Sequence, residues 1–179
     1  MKGARVVAIA VILGAFGVGG WWLFGYDGGG ASLSARAAHI VVRWSGKYQG
    51  KMTLPARINW CPGTRRGILE AISGDSGVAV VLYERDSLTS GPHTVGSPDM
   101  AASIATPGAT VVMRWMRTDR DTAVTGFRSQ GGTVRINFVG GKGSGDINVR
   151  MRALAANDTL VMQAVFRDVP VVTTAAGCS

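Results

Sequence analysis

The sequence predicts an all-β domain preceded by one hydrophobic segment. Beyond about residue 38, the chain is rich in Val, Thr, Arg and Gly and poor in Leu, Glu and Lys, a composition that favours strands and turns over helices. Apolar and polar residues alternate there with a period of two. Turn residues recur roughly every 8 to 12 positions, as in antiparallel sandwiches. We therefore expect a β-sandwich or jelly-roll-like domain of about nine or ten strands, with a flattened barrel as the alternative.

An uncharged segment, residues 6–26, precedes this domain. As a helix it would be roughly 30 Å long, enough to cross a hydrocarbon core. It is longer than the ~7 to 15 apolar residues of a cleaved signal, so we expect a retained transmembrane helix in a bacterial inner membrane. Lys2 and Arg5 predict that residues 1–5 are cytoplasmic. Residues 27–38 would then form a flexible linker, and residues 39–179 a periplasmic domain.

Small residues recur along the predicted helix at positions where close contact with another helix would need them. They are Ala10, Gly14, Ala15, Gly17 and Gly19. Simple tolerance of glycine in membrane helices is the alternative. Aromatic residues at the outer end predict anchoring at the lipid headgroups. They are Trp21, Trp22, Phe24 and Tyr26. The span lacks His, Asp, Glu and Lys, so we expect no cofactor ligated by its side chains, although it could contact lipid or pigment held by partner subunits.

The first half of the domain predicts four strands. In the first, Ile40, Val42 and Trp44 would face inward and Arg43 outward. Residues 51–60 form a second strand, which Pro55 places at an edge or bulge. Residues 67–73 and 78–83 form a hairpin around the turn at 74–77. Residues 90–109 are expected to be irregular.

The second half continues the pattern. Residues 111–116 repeat the alternation of the first strand, and a turn at 119–121 leads into 122–128. A turn at Gly131–Gly132 and a glycine-rich loop at 140–146 bound a strand over 133–139. The last predicted strands are 147–154 and 159–169.

The two cysteines, Cys61 and Cys178, are predicted to form a disulfide. An oxidising periplasm permits this bond, which would close a long loop and fix the C-terminus. Two unpaired thiols are the alternative. Two cysteines without accompanying histidines are too few for a zinc site.

The net charge of +8 predicts attraction to acidic partner surfaces or to the lipid bilayer. Nucleic acid is not an expected partner, because no dense Lys/Arg run is interleaved with aromatic residues. Arginine and tryptophan are enriched at interface hot spots. Arg43–Trp44 and Arg114–Trp115 are therefore candidates for a partner interface. In the plainer interpretation, both tryptophans are core residues and both arginines are solvated.

No catalytic arrangement is predicted. The string GDSG at 74–77 resembles the nucleophile region of chymotrypsin-like proteases over four residues, but only His39 precedes it, far too close in sequence. The loop at 140–145 is followed by a strand pattern, unlike a P-loop. Asp99, Asp119 and Asp121 are too few for a convincing calcium site. With His39 and His93 as the only histidines, we expect no metal site and no enzyme.

Three functions remain: an accessory subunit of a membrane complex, a free-standing membrane-anchored periplasmic binding module, and an enzyme with an unfamiliar site. The Lys2/Arg5 start, the uncharged helix and Trp21–Trp22 resemble the single-helix accessory subunits of bacterial photosynthetic reaction-centre and light-harvesting complexes. This resemblance of overall plan covers about 30 residues, and respiratory complexes would match as well. It implies a non-catalytic stabilising role beside other membrane-complex subunits, which we take as the expected function.

Overall fold

A computed structural model describes residues 38–116 and 124–173, which belong to one compact unit, Ala35–Ser179. The predicted membrane segment, most of its linker, the turn at 119–121 and Cys178 lie outside these ranges. Nowhere within them does a helix have the length and hydropathy needed to span a bilayer. The elements are β1 (His39–Gly46), β2 (Gly50–Cys61), β3 (Arg66–Ser73), β4 (Ser76–Tyr83), β5 (Gly91–Val95), a 3-10 helix (Pro98–Ser103), β6 (Gly108–Met116), β7 (Val124–Val139), β8 (Lys142–Ala153) and β9 (Thr159–Thr173).

The nine strands form one sheet that closes into a barrel in the order β1-β2-β3-β4-β6-β5-β7-β8-β9. The pairings are antiparallel except for two short parallel ones, β5 with β6 and β2 with β9. The predicted all-β class is confirmed, with a strand count within the predicted range. The expected two stacked sheets are not formed, because β9 pairs with β1 and continues the hydrogen bonding around the barrel.

Two long strands, β7 and β9, each pair with β8 along one side and with two different strands in succession along the other. The first part of β7 pairs with β6 and its later part with β5, with a register shift at Ser129/Gly131 between them. The turn predicted at Gly131–Gly132 is therefore wrong, because both residues lie inside one continuous strand and pair with Arg150 and Val149, directly after a bulge at Gln130. Gly132 has φ +137° and a Cβ there would lie 2.3 Å from the Asn148 carbonyl oxygen. In β9, Asp168 has φ +52° and separates the part paired with β1 from the part paired with β2.

Pro55 does not place β2 at an edge, because β2 pairs with both β1 and β3. Pro55 instead lies at the changeover: it is opposite His39 in the last β1 pair, and Ala56 begins the pairing with β3. The stretch expected to be irregular, 90–109, contains β5, the 3-10 helix and the start of β6. Its Pro and Gly residues obscured a strand only five residues long.

The glycine-rich loop is shorter than predicted. Only Gly140 and Gly141, with φ +57° and +71°, form the turn, and β8 already begins at Lys142. Gly143 and Gly145 lie within β8, at positions where a side chain would be crowded. A Cβ on Gly143 would lie 2.6 Å from Ile58, and one on Gly145 would lie 2.0 Å from the Arg135 carbonyl oxygen.

Side chains from all nine strands fill the barrel interior. The alternation predicted for the first strand is confirmed: Ile40, Val42 and Trp44 are buried and Arg43 is exposed. The same pattern holds for Val111, Met113 and Trp115 in β6. Burial of such side chains at about 25 cal/mol per Å² is the main stabilising contribution. The interior is therefore a packed core, as in other small barrels.

Candidate functional site

The two tryptophans singled out in the sequence meet at one end of the barrel. The ring centroids of Trp44 and Trp115 are 4.8 Å apart, and Trp115 stacks on Phe127 at 5.1 Å. Tyr48 adds an edge-on contact at 6.3 Å. Each tryptophan is only 9% exposed, so both belong to the core, as the plainer interpretation expected. We call these four residues the aromatic cluster.

The two arginines beside these tryptophans are not brought together. Arg43 is exposed on β1 and Arg114 half-buried on β6. Strands β2, β3 and β4 separate β1 from β6 on one side of the barrel, and β9, β8 and β7 separate them on the other. Arg43 and Arg114 therefore lie on opposite walls and cannot contribute to one flat partner interface.

A groove of about 510 Å³ follows the outer wall around Arg43. It is lined by Arg43, Trp44, Ser45, Gln49, Gly50, Lys51, Val161 and Gln163, and we call it the Arg43 groove. The strand register builds it, because Arg43 lies directly opposite Lys51 on β2 and Gln163 on β9. The consecutive strands β1 and β2 and the distant strand β9 thus place two cations and an amide side by side.

The cations of the Arg43 groove have no acidic partner among the described residues. Arg43 and Lys51 are exposed and form no salt bridge with any described residue, and the groove lining contains no carboxylate. Arg150 extends the positive wall, since it pairs with Val161 across β8 and β9. The Arg43 groove is therefore suited to an anionic partner.

One acid–base pair is buried inside the barrel. His93 Nε2 and Glu84 Oε1 are 2.8 Å apart, with side chains 0% and 1% exposed. Thr89 donates to Glu84 through its backbone N–H at 3.1 Å and its hydroxyl at 2.7 Å, and His93 Nδ1 lies 3.2 Å from the Gly91 carbonyl oxygen. Because solvent does not reach the pair, we assign it a structural role. It connects the loop after β4 to β5.

The protease-like string forms a hairpin turn, as the sequence predicts. Ser73 pairs with Ser76, and Gly74 between them has φ +56°. Ser76 begins β4, whereas Glu84 follows its end, so the length of the strand separates this serine from the buried His93. A serine without a positioned base is not activated as a nucleophile.

Acidic residues do not converge on a cation site in the described ranges, where no group of three or more His, Cys, Asp and Glu side chains could hold a metal. Asp99 forms a salt bridge with Arg128. Asp119 and Asp121 lie outside those ranges.

The remaining predicted site residues belong largely to the undescribed N-terminus. These are the helix-packing positions Ala10, Gly14, Ala15, Gly17 and Gly19 and the anchors Trp21, Trp22, Phe24 and Tyr26. Cys61 is fully buried and disulfide-bonded. Cys178 lies outside the described residues, so its pairing with Cys61 stays a prediction.

No protein-family model, curated protein or solved structure matches this chain. Function must therefore be argued from the chain itself. Sequence reasoning missed Lys51 and Gln163 as neighbours of Arg43, and Glu84 as the partner of His93. The only signal for the first two was their outward phase on a strand, which does not reveal which strands pair.

Proposed function

We propose that this protein is a non-catalytic accessory subunit of an integral membrane complex. In this proposal, the helix over residues 6–26 docks laterally in the membrane and the barrel domain braces partner subunits on the periplasmic face. The Arg43 groove is the observation that carries the proposal, because its cations have no acidic partner in the described part of the chain and lie on the outer wall of a barrel with a packed interior. Such a surface supports binding, while the buried Glu84–His93 pair offers no accessible catalytic group.

The specific complex we propose is a photosynthetic reaction-centre and light-harvesting assembly. Support comes from the N-terminal plan: Lys2 and Arg5, then an uncharged span ending in Trp21–Trp22. The span has no histidine with which to ligate a bacteriochlorophyll. The subunit would therefore act as a scaffold beside pigment carriers.

Extraction from native membranes in a mild detergent, followed by size separation and absorption spectroscopy, tests this proposal. Co-migration with a large complex is the expected result, and pigment absorption in the same fractions would identify a photosynthetic assembly. Migration as a single chain would overturn the accessory role and favour a free-standing binding module. A soluble mature chain beginning near residue 38 would also overturn it.

A further inference from the structure

We propose that the Arg43 groove binds an extended, acidic segment of a partner protein, with carboxylates placed against Arg43 and Lys51. This inference rests on the proposed accessory function and names the chemistry of the contact. Two exposed cations on paired strands, without a carboxylate in the groove, supply the charge complementarity.

The spacing of the groove suits a polypeptide. Lys51, Arg43 and Gln163 form one row across β2, β1 and β9, and neighbouring strands lie about 4.8 Å apart. The row therefore presents donors across roughly 10 Å. Two residues along β1, Ser45 lies opposite Val161, which is 39% exposed and adds an apolar contact.

The lining favours a peptide over a small anion or a lipid headgroup. A volume of about 510 Å³ accommodates several side chains, far more than one phosphate. The amides of Gln49 and Gln163 can both donate and accept, which matches the alternating N–H and C=O groups of a peptide backbone.

Binding is measured with the purified full-length chain in a non-ionic detergent. The probe is a fluorescein-labelled peptide of alternating Glu and Ser, and a Gln/Ser peptide is the uncharged comparison. Fluorescence polarisation is expected to detect the acidic peptide only, with affinity falling as salt rises.

Charge reversal locates the site. R43E/K51E is expected to weaken binding of the acidic peptide by at least about tenfold. R167E/K142E makes the same charge change at two other exposed residues of the barrel and should leave binding unchanged. Thermal unfolding checks that each variant folds, and R43Q/K51Q provides a second test without introduced acids.

Equal weakening by both reversed pairs would overturn the groove and indicate a net-charge effect, and so would failure of the wild-type chain to bind the acidic peptide. Repeating the measurement in nanodiscs with and without phosphatidylglycerol tests the lipid alternative. If phosphatidylglycerol displaces the acidic peptide from the wild-type chain, and the R43E/K51E variant no longer binds this lipid, the groove is a lipid site and the peptide assignment is overturned. Co-migration of wild type with a membrane complex tests the accessory role separately, so a wrong groove and a wrong function give different results.

Discussion

The indole rings of Trp44 and Trp115 lie 4.8 Å apart, although their strands stand on opposite walls of the barrel. The contact spans the interior at one end and continues through Trp115 to Phe127 on β7. Aromatic pairs contribute roughly 0.5–1.5 kcal/mol beyond the apolar area they bury. The aromatic cluster therefore links β1 to β6 and β7, which lie far from it in sequence.

Removing the central ring of this cluster should be costly. We expect Trp115→Ala to lower the free energy of unfolding by about 3–5 kcal/mol, because the cavity would form between Trp44 and Phe127. Urea denaturation of the wild-type chain and of Trp115→Ala measures this difference in unfolding free energy. Val139→Ala, at a residue 68% exposed, should cost less than about 0.5 kcal/mol. Similar losses for the two variants would contradict the assigned role of the cluster.

Gly50 is required by the position of the Trp44 ring. A Cβ on Gly50 would lie 2.3 Å from Trp44 Cζ2, so Gly50→Ala must displace the indole. We expect a loss of about 1–3 kcal/mol in unfolding free energy, together with a change in near-ultraviolet circular dichroism. Gly63→Ala is the matched control, because no atom lies within 4 Å of its Cβ position. An unchanged near-ultraviolet spectrum for Gly50→Ala would show that the ring is not held as described.

The Glu84–His93 pair should behave as one unit. His93→Leu leaves Glu84 Oε1 buried with only the Thr89 N–H, and we expect a loss of about 1–3 kcal/mol or more. Glu84→Leu should also lower the free energy of unfolding, since His93 and Thr89 both lose their hydrogen-bond partner. In a double-mutant cycle, Glu84→Leu/His93→Leu should lose less than the sum of the single losses. Strict additivity would mean that the pair is not coupled.

Lys47 should make a pH-dependent contribution. It donates to both Asp158 carboxylate oxygens at 2.9 Å, and this hydrogen bond, followed by the charge of Asp158, raises the pKa of Lys47 above 10.5. Because the pKa is higher in the folded state, the stabilisation is complete below pH 10.5 and is lost as pH rises through the folded value. Lys47→Met should therefore lower Tm at neutral pH and at low salt.

The Tm difference between Lys47→Met and the wild-type chain should shrink as the pH rises beyond 10.5. Asp158→Asn supplies the control: in its background Lys47→Met should have little further effect. A constant Tm difference across this pH range would show that the charge of Lys47 is not the cause.

Local patterns predicted the elements better than their arrangement. Period-two alternation identified the inward faces at Val42 and Met113, because it depends only on neighbouring residues. The choice between stacked sheets and a closed barrel depends on whether β9 pairs with β1, which is a long-range contact. Gly131 and Gly132 predict a turn, yet they lie within β7 beside a bulge, because glycine occurs both in turns and at irregular points of a strand.

The Arg43 groove shows the same limit. Arg43 was recognised from its position next to a tryptophan, and its exposure followed from strand phase. Its neighbours Lys51 and Gln163 depend on the registers of two pairings, and a slip of one residue would turn each to the opposite face. The register of β1 with β2 follows from the short turn between them, whereas the register of β1 with β9 joins opposite ends of the described chain and is not set by any local pattern.

Strand β1 is paired along its length with β2 on one side and β9 on the other. This pairing limits how a partner can bind to the outer face of β1. Its backbone N–H and C=O groups already form hydrogen bonds within the sheet, so a partner polypeptide cannot bind there by adding a further strand. The side chains of this face must therefore provide the recognition. Single substitutions of these exposed side chains can change the binding specificity without changing the barrel fold.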